Sequence, residues 1–236
     1  VFEYDFNKQN ESGRTWGNVG YKSKEFIFEY SAASFATFAN LNSGFDHEVM
    51  TDDPVMLKEK IDKYDVDWSG LKIIDASKKI EEWKKHRYCF YPAMMHLKEY
   101  EGVQEQLLKL DNDLECLVPL NVLEGNNDIL MWKHERNVNS GREYWGERTA
   151  ARLAFGTDNF ELYNMGVMGF PEGDKQALIS ELVEAGIKMS EADISSVVHF
   201  PEKPGHKVKI WSCSEQTGYC YILHKNGLNI TYIQGD

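Results

Sequence analysis

The feature that most constrains the fold is an amphipathic helix pattern that is followed directly by two strand patterns. The segment DKQALISELVEAGI carries a single apolar stripe at helical spacing. The stripe consists of Leu178, Ile179, Leu182 and Val183. The segments SSVVHF and HKVKIW then have the composition of strands, joined by the turn PEKPG, and NITYIQ is a further strand. Because an amphipathic helix must bury its stripe against another element, this order predicts an α+β fold.

The rest of the chain divides by composition into strand-like and helix-like stretches. Residues 1–30 alternate as strands do, and Ser31 is predicted to be the N-cap of a helix. The apolar face of that helix carries Phe35, Phe38 and Leu41. Residues 45–115 are charged and amphipathic, which predicts several helices broken by Gly and Pro. Strand patterns return over 116–145, and 146–173 is predicted to hold a short helix and a strand.

Composition limits the possible partners and compartments. The chain has 236 residues and a formal charge of −12, so phosphate binding requires a local basic patch on an acidic background. The sequence shows no membrane span and no signal peptide. Its four cysteines lack a CxxC pair and are expected to be free thiols in a reducing compartment. We therefore expect a cytoplasmic protein that is not associated with a membrane.

Recognised catalytic motifs are missing from the sequence. It contains no GxxxxGK[ST] or GxGxxG loop for phosphates, and no HExxH or GxSxG motif. The seven histidines do not pair with Cys or carboxylates at metal-ligand spacing. The sequence thus predicts a protein that is not an enzyme, with no catalytic residue, metal or cofactor.

An aromatic and basic pattern remains, and it has two explanations. Trp16 stands beside a glycine, Trp132 precedes Lys133, and Trp211 ends a strand that carries Lys207 and Lys209. Indoles stack on nucleobases and lysines meet phosphates, so the set could hold a charged nucleotide. The alternative is that the tryptophans are ordinary core and rim aromatics. Composition alone favours the alternative.

Three stretches, in order, resemble the translation initiation factor 4E family, whose members bind the 7-methylguanosine cap of messenger RNA. They are FEYDFNKQNESGRTWGNVGYKSKEFIFEYSAASFATFANLN, LMWKHERNVNSGREYW and ALISELVEAGIKMSEADISSVVHFPEKPGHKVKIW. The resemblance implies a curved antiparallel β-sheet with helices on its convex face and the nucleotide on its concave face. It also implies a single cap-binding domain over residues 1–236, with a helical insertion at about 45–115.

The resemblance assigns roles to individual residues. Trp16 and Trp132 are expected to sandwich the methylated guanine, because a cationic base strengthens stacking on indoles. Trp211 is expected near the N7 methyl group. Four basic residues are candidates for the cap phosphates. These are Lys207, Arg142, Lys203 and Lys209.

Two departures from the family pattern bear on specificity and partners. The family has a Glu after the second stacking Trp to accept hydrogen bonds from the guanine edge, whereas this chain has Lys133, which only donates. Glu135 is the candidate substitute. The family's scaffold-docking Trp aligns with Ala36, so a scaffold 4G-like protein on the convex helical face would need a different surface. Capped mRNA is the expected ligand.

Alternatives therefore stay open at two levels. The chain could have a 4E-like fold that has lost cap binding and serves as a protein-interaction module, or could be an enzyme acting on nucleotides or capped RNA. Locally, IWSCSEQTGYCYILH could form a hairpin. The resemblance instead implies a helix from about Ser214 to Lys225, ended by Asn226 and Gly227.

Overall fold

The fold is described by a computed structural model, which covers most of the chain with several gaps. The described residues are 24–83, 91–112, 114–117, 119–120, 125–132, 147–191, 197–199, 207–209 and 215–233. Their helices are α1 (Lys24–Leu41), α2 (Pro54–Ile61), α3 (Ser77–Trp83), α4 (Tyr91–Glu99), α5 (Glu147–Phe155), α6 (Gln176–Glu191) and α7 (Glu215–Lys225). Their strands are β1 (His47–Thr51), β2 (Leu71–Asp75), β3 (Leu107–Leu110), β4 (Ile129–Trp132), β5 (Asn164–Phe170), β6 (Val197–His199), β7 (Lys207–Lys209) and β8 (Ile230–Ile233). The fold is thus mixed α and β.

The chain separates into two compact units. Among the described residues, unit 1 contains 24–83 and most of 110–126, and unit 2 contains 91–109 and the residues from 127 onward. Residues 45–115 are divided between the two units, and their origin as an insertion in a single cap-binding domain stays a prediction.

Unit 1 is built on a β1–α2–β2 crossover. The two strands are parallel, with His47 paired to Leu71 and Thr51 to Asp75. Helix α2 connects them and begins where the Asp53 carboxylate accepts the backbone N–H of Met56 at 3.0 Å. Helix α1 packs on α2 over a buried apolar cluster. The cluster consists of Ile27, Phe28, Ala32, Val49, Leu57 and Ile61.

The segment that follows β3 is tied to α1 by hydrogen bonds rather than by regular structure. Asn112 donates to the Ser31 hydroxyl at 2.8 Å, and the backbone N–H of Cys116 donates to the Thr37 hydroxyl at 2.9 Å. Further along, the N–H of Leu120 reaches the Asn42 side-chain oxygen at 2.7 Å. Polar side chains on α1, and Asn42 just after it, therefore bond the side chain of Asn112 and backbone groups of Cys116 and Leu120, all more than 70 positions away in sequence.

Unit 2 contains a mixed four-stranded sheet and a separate hairpin. The strand order is β3–β5–β4–β8, with β4 antiparallel to β5 and parallel to β8. Strands β6 and β7 form the antiparallel pair. Helix α6 packs against both α4 and α7. The α6–α7 contact is very close: a Cβ added to Gly218 would lie 2.7 Å from the carbonyl oxygen of Ala185.

The C-terminal part of the chain agrees with the sequence-based predictions. The amphipathic helix is α6, the two strands after it pair as β6 and β7, and NITYIQ contains β8. The short helix and strand predicted over 146–173 are α5 and β5. The helix that the resemblance implied, rather than the hairpin, is present as α7, and Gly227 follows it with a φ of 59°.

The sequence-based prediction placed the start of the N-terminal helix too late in the chain. Residues from 24 onward are helical instead of forming a strand, and Ser31 lies inside α1, where its hydroxyl donates to the carbonyl of Ile27 at 2.8 Å. The strand-like alternation came from Phe26 and Tyr30. These two rings stack at 6.2 Å on the exposed side of α1, four residues apart, while Ile27 and Phe28 are buried.

Two further predictions need correction. The stretch 45–115 is not wholly helical, because it contains β1, β2 and β3, whose short apolar runs lie between charged residues and fit either period. The sheet of unit 2 is not antiparallel throughout, since β4 and β8 run parallel. The pairing direction of strands this far apart in sequence has no local signal.

Candidate nucleotide-binding site

The predicted site is described in part. Trp132 is the last residue of β4, and Lys207 and Lys209 begin and end β7; for these three residues the structure describes the backbone. The other predicted site residues lie outside the described ranges. They are Trp16, Lys133, Glu135, Arg142, Lys203 and Trp211. The sandwich of the guanine by two indoles therefore stays a prediction.

The backbone at Trp132 lies beside a large β-bulge. Along β4 and β5, Leu130 pairs with Gly169 and Met131 with Met168, but Trp132 pairs with Asn164. A regular antiparallel ladder would place Val167 opposite Trp132. Residues 165–167 of β5 are therefore extra relative to β4. Bulges of this kind redirect side chains and are common beside functional sites.

The backbone groups of the bulge are bonded by side chains. The N–H of Met165 donates to the side-chain oxygen of Gln216 at 3.2 Å, and its carbonyl accepts from Lys109 Nζ at 2.9 Å. The N–H of Gly166 donates to the side-chain oxygen of Asn164 at 2.8 Å. Lys109 lies on β3 and Gln216 on α7, so these elements hold the bulge from two directions.

On the opposite side of β4, β8 fixes the register of Trp132 in parallel pairing. Trp132 pairs with Ile233, and Met131 pairs with Tyr232. The Thr231 hydroxyl donates to the Asp128 carboxylate at 2.8 Å, which ties the two strands at the far end. The backbone of Trp132 is thus held between the bulge and a fully registered strand.

The β6–β7 pair arranges the predicted phosphate ligands. Lys207 pairs with His199, and Lys209 pairs with Val197. The two lysines therefore occupy alternate positions of one short strand. Lys203 is one of the seven residues, 200–206, that separate β6 from β7 in the sequence, and it lies outside the described ranges.

A cluster of one carboxylate and two phenols lies near β8, and sequence reasoning missed it. The hydroxyls of Tyr163 and Tyr232 donate to the same oxygen of Glu161 at 3.0 and 2.9 Å. Burial and this carboxylate raise the pKa of both tyrosines, so both stay protonated donors. The residues come from different elements, and no sequence spacing announces the cluster. Its negative charge makes it unsuitable for phosphate.

The predicted scaffold-docking position is not on the surface. Ala36 is 7% exposed on α1, whereas Phe26 and Tyr30 of the same helix are 42% and 46% exposed. The aromatic pair, and not Ala36, is therefore the exposed apolar surface of α1.

The described ranges contain neither a metal-binding cluster nor a membrane-spanning helix. In them, no group of three or more His, Cys, Asp or Glu side chains is arranged to bind a metal ion. None of the helices described has the length and apolarity needed to cross a membrane. No model of a known protein family matches the chain, and no match to a curated protein was found.

Proposed function

We propose that this chain binds the 7-methylguanosine cap of cytoplasmic mRNA, with the base between Trp16 and Trp132, and acts in translation initiation without making or breaking bonds. The support is the order α6–β6–β7–α7–β8, which is the order that the resemblance to the translation initiation factor 4E family implies. The observation that carries the proposal is α7. It is a helix in a stretch where the sequence alone also allowed a hairpin.

The local grouping of lysines around β7 supports the same ligand. The chain carries a net charge of −12, so a nucleotide with several phosphates needs a local concentration of cations. Lys207 and Lys209 occupy alternate positions on β7, and Lys203 precedes them by four and six positions in the sequence. In the proposal, these lysines and Arg142 bind the phosphates, and Trp211 covers the N7 methyl group.

The first test is a titration of intrinsic tryptophan fluorescence with 7-methyl-GTP and with unmethylated GTP. We expect strong quenching by the methylated nucleotide and weak quenching by GTP, because only the methylated base is cationic. One stacking indole contributes about 1–3 kcal/mol, so Trp132→Leu should weaken binding roughly 5- to 150-fold. Trp83→Leu, in a half-buried tryptophan of unit 1, is the control and should retain binding.

Equal and weak quenching by both nucleotides would contradict the proposal for simple caps. Retention of full affinity in Trp132→Leu would contradict the sandwich even if the nucleotide binds. A loss that is equal in Trp83→Leu would point to unfolding, which a thermal melt of each variant detects.

The guanine edge can be tested separately. The N1 and N2 groups of guanine are donors, and Lys133 has no acceptor to offer them. Lys133→Glu should therefore bind 7-methyl-GTP about tenfold more tightly, if Glu135 does not already accept these hydrogen bonds. Glu135→Gln in the parent background gives the complementary result: a loss of affinity there assigns the guanine edge to Glu135.

A second function, docking of a scaffold 4G-like protein, is favoured by the exposed pair Phe26 and Tyr30 on α1. The pair offers two stacked rings on one helix face, which suits the apolar face of a partner helix. Calorimetry with a synthetic scaffold helix tests it. Binding should be lost in Phe26→Ser/Tyr30→Ser and kept in Tyr64→Ser, a similarly exposed aromatic of unit 1. Equal binding by all three proteins would exclude this surface.

A further inference from the structure

The bulge in β5 requires an explanation beyond sheet geometry. It places residues 165–167 out of register with β4, next to the pair formed by Trp132 and Asn164. Met165 is 2% exposed and Val167 is 6% exposed, so the bulge is buried. A buried backbone group without a partner costs about 1–3 kcal/mol. The irregular register thus depends on the side chains that bond the freed backbone groups.

Those side chains form a bracket, which we define as Lys109, Asn164 and Gln216. Gln216 accepts the N–H of Met165 from α7, and Lys109 donates to the carbonyl of Met165 from β3. Asn164 has two functions: its backbone pairs with Trp132, and its side chain accepts the N–H of Gly166. The residue paired with Trp132 is therefore also a member of the bracket.

Without the bracket, the regular ladder is the competing arrangement. It would pair Trp132 with Val167 in place of Asn164 and would let residues 165–167 rejoin β4. The position of the Trp132 backbone relative to β5 therefore depends on groups that lie outside the predicted cap site.

We propose that Gln216 and Lys109 are positioning residues for Trp132, which hold the β5 bulge and thereby set the stacking platform. The effect of these residues on nucleotide affinity rests on the proposed cap-binding function. Neither residue contacts the base in this scheme. The bracket acts through the backbone of β5, and its loss shifts Trp132 without removing any side chain of the site.

The test combines ¹⁹F NMR and cap affinity in protein labelled with 5-fluorotryptophan. The Trp132 resonance is identified by its disappearance in Trp132→Phe. Gln216→Leu removes the acceptor for Met165, and we expect the Trp132 resonance to shift or broaden without nucleotide. Affinity for 7-methyl-GTP should fall about fivefold or more, because a displaced indole loses about 1 kcal/mol or more of stacking on the base.

Matched variants separate positioning from general damage. Gln216→Glu keeps the acceptor and should restore both the resonance and the affinity. Gln176→Leu makes the same change at an exposed position in the first turn of α6, and should leave both unchanged. Lys109→Met removes the second bond of the bracket and should disturb the same resonance. If Gln216→Leu does not fold, the shorter Gln216→Asn makes the test.

The outcomes are distinguishable. An unchanged Trp132 resonance with unchanged affinity in folded Gln216→Leu would overturn the inference. If Gln216→Leu disturbs the Trp132 resonance but the parent protein does not bind 7-methyl-GTP, the proposed function is refuted. The bracket is then still upheld as the determinant of Trp132 position. Disturbance of all tryptophan resonances alike would show a global effect and overturn the positioning role.

Discussion

Each of the two compact units buries at least one lysine, and Lys60 of unit 1 and Lys175 of unit 2 are held by opposite means. In unit 1, Lys60 is 3% exposed, and its ammonium lies 2.7 Å from Glu25 and 3.4 Å from Glu29. The hydrogen bond that Lys60 donates to Glu25 is the largest influence on Lys60 and raises its pKa, with the bond to Glu29 adding to the rise. Unit 1 therefore holds its buried cation with exposed side-chain carboxylates.

In unit 2, Lys175 is 4% exposed and donates to backbone carbonyls only. Its Nζ lies 2.8 Å from the oxygen of Val103, 2.9 Å from that of Glu105 and 2.8 Å from that of Gly173. Burial is the main influence here and lowers the pKa of Lys175. The three oxygens belong to the main chain and cannot turn to water without moving the loops themselves.

The difference shows where each unit can adapt. Side-chain carboxylates can rotate into solvent when their partner is lost, so unit 1 should tolerate substitution. Unit 2 joins backbone to side chain at Lys175, and backbone to backbone where Gly218 meets Ala185. We expect unit 2 to lose more stability from small changes.

The largest effect is expected for Gly218→Ala. The added Cβ would lie 2.7 Å from the carbonyl oxygen of Ala185, so α6 and α7 would have to separate, at a cost of about 3 kcal/mol. Gly186→Ala is the control, because its nearest neighbour is the flexible end of Met94, also at 2.7 Å. Urea unfolding measures both. Similar losses in the two variants would show that the α6–α7 backbone contact is not limiting.

The second largest effect is expected for Lys175→Met, which should lower the free energy of unfolding by about 2–3 kcal/mol. The methionine keeps the apolar stem but leaves three partly buried carbonyls without this donor. Lys78→Met, at an exposed position of α3, is the control and should be close to neutral. A neutral Lys175→Met would mean that these carbonyls find other donors, and would remove the contrast between the units.

Lys60→Met should destabilise less than Lys175→Met. Glu25 and Glu29 are 65% and 47% exposed, so both can return to water, and Glu29 keeps Lys63 as a partner at 3.0 Å. Exposed ion pairs contribute little to stability. The same urea experiment decides: a loss in Lys60→Met that exceeds the loss in Lys175→Met would reverse the comparison.

The smallest expected effect is a difference between Lys60→Met and Lys175→Met in how their loss of stability depends on acid pH. The hydrogen bond from Lys63, followed by that from Lys60, lowers the pKa of Glu29, so its contribution is present above its unfolded pKa and is lost as the pH falls through the folded value. The difference between the parent and Lys60→Met should therefore shrink between about pH 5 and pH 3. The difference for Lys175→Met should change far less, because carbonyls do not titrate. Unfolding curves at several pH values test this.

Sequence reasoning succeeded where the local pattern and the tertiary structure agree. Three of the four stripe residues of α6 are buried and Leu178 is half-buried, and the β6–β7 pair follows from two β-branched runs around a Pro- and Gly-containing sequence. It failed at α1, where an exposed aromatic pair imitated the alternation of a strand. Composition carried no information on which side of the helix those rings would lie.

The surroundings of the predicted site could not be inferred in the same way. The bulge at Met165 depends on acceptors and donors from β3 and α7, which are 56 and 51 residues away in sequence. Lys175 is held by carbonyls, which every residue possesses, so no residue type marks that contact. Sequence patterns can name a tryptophan as a stacking platform, but they do not reveal what fixes its backbone.

The parallel pairing of β4 with β8 has a consequence for how the protein is made. Ile129 pairs with Ile230 and Trp132 with Ile233, so β4 gains this neighbour only after residue 233 has left the ribosome. The crossover β1–α2–β2, by contrast, lies within residues 47–75 and can form during synthesis. Trp132 therefore gains its β8 neighbour only after about a hundred further residues have been synthesised, at translation speeds of about 5–20 residues per second. During that interval one edge of β4 remains open to chaperones.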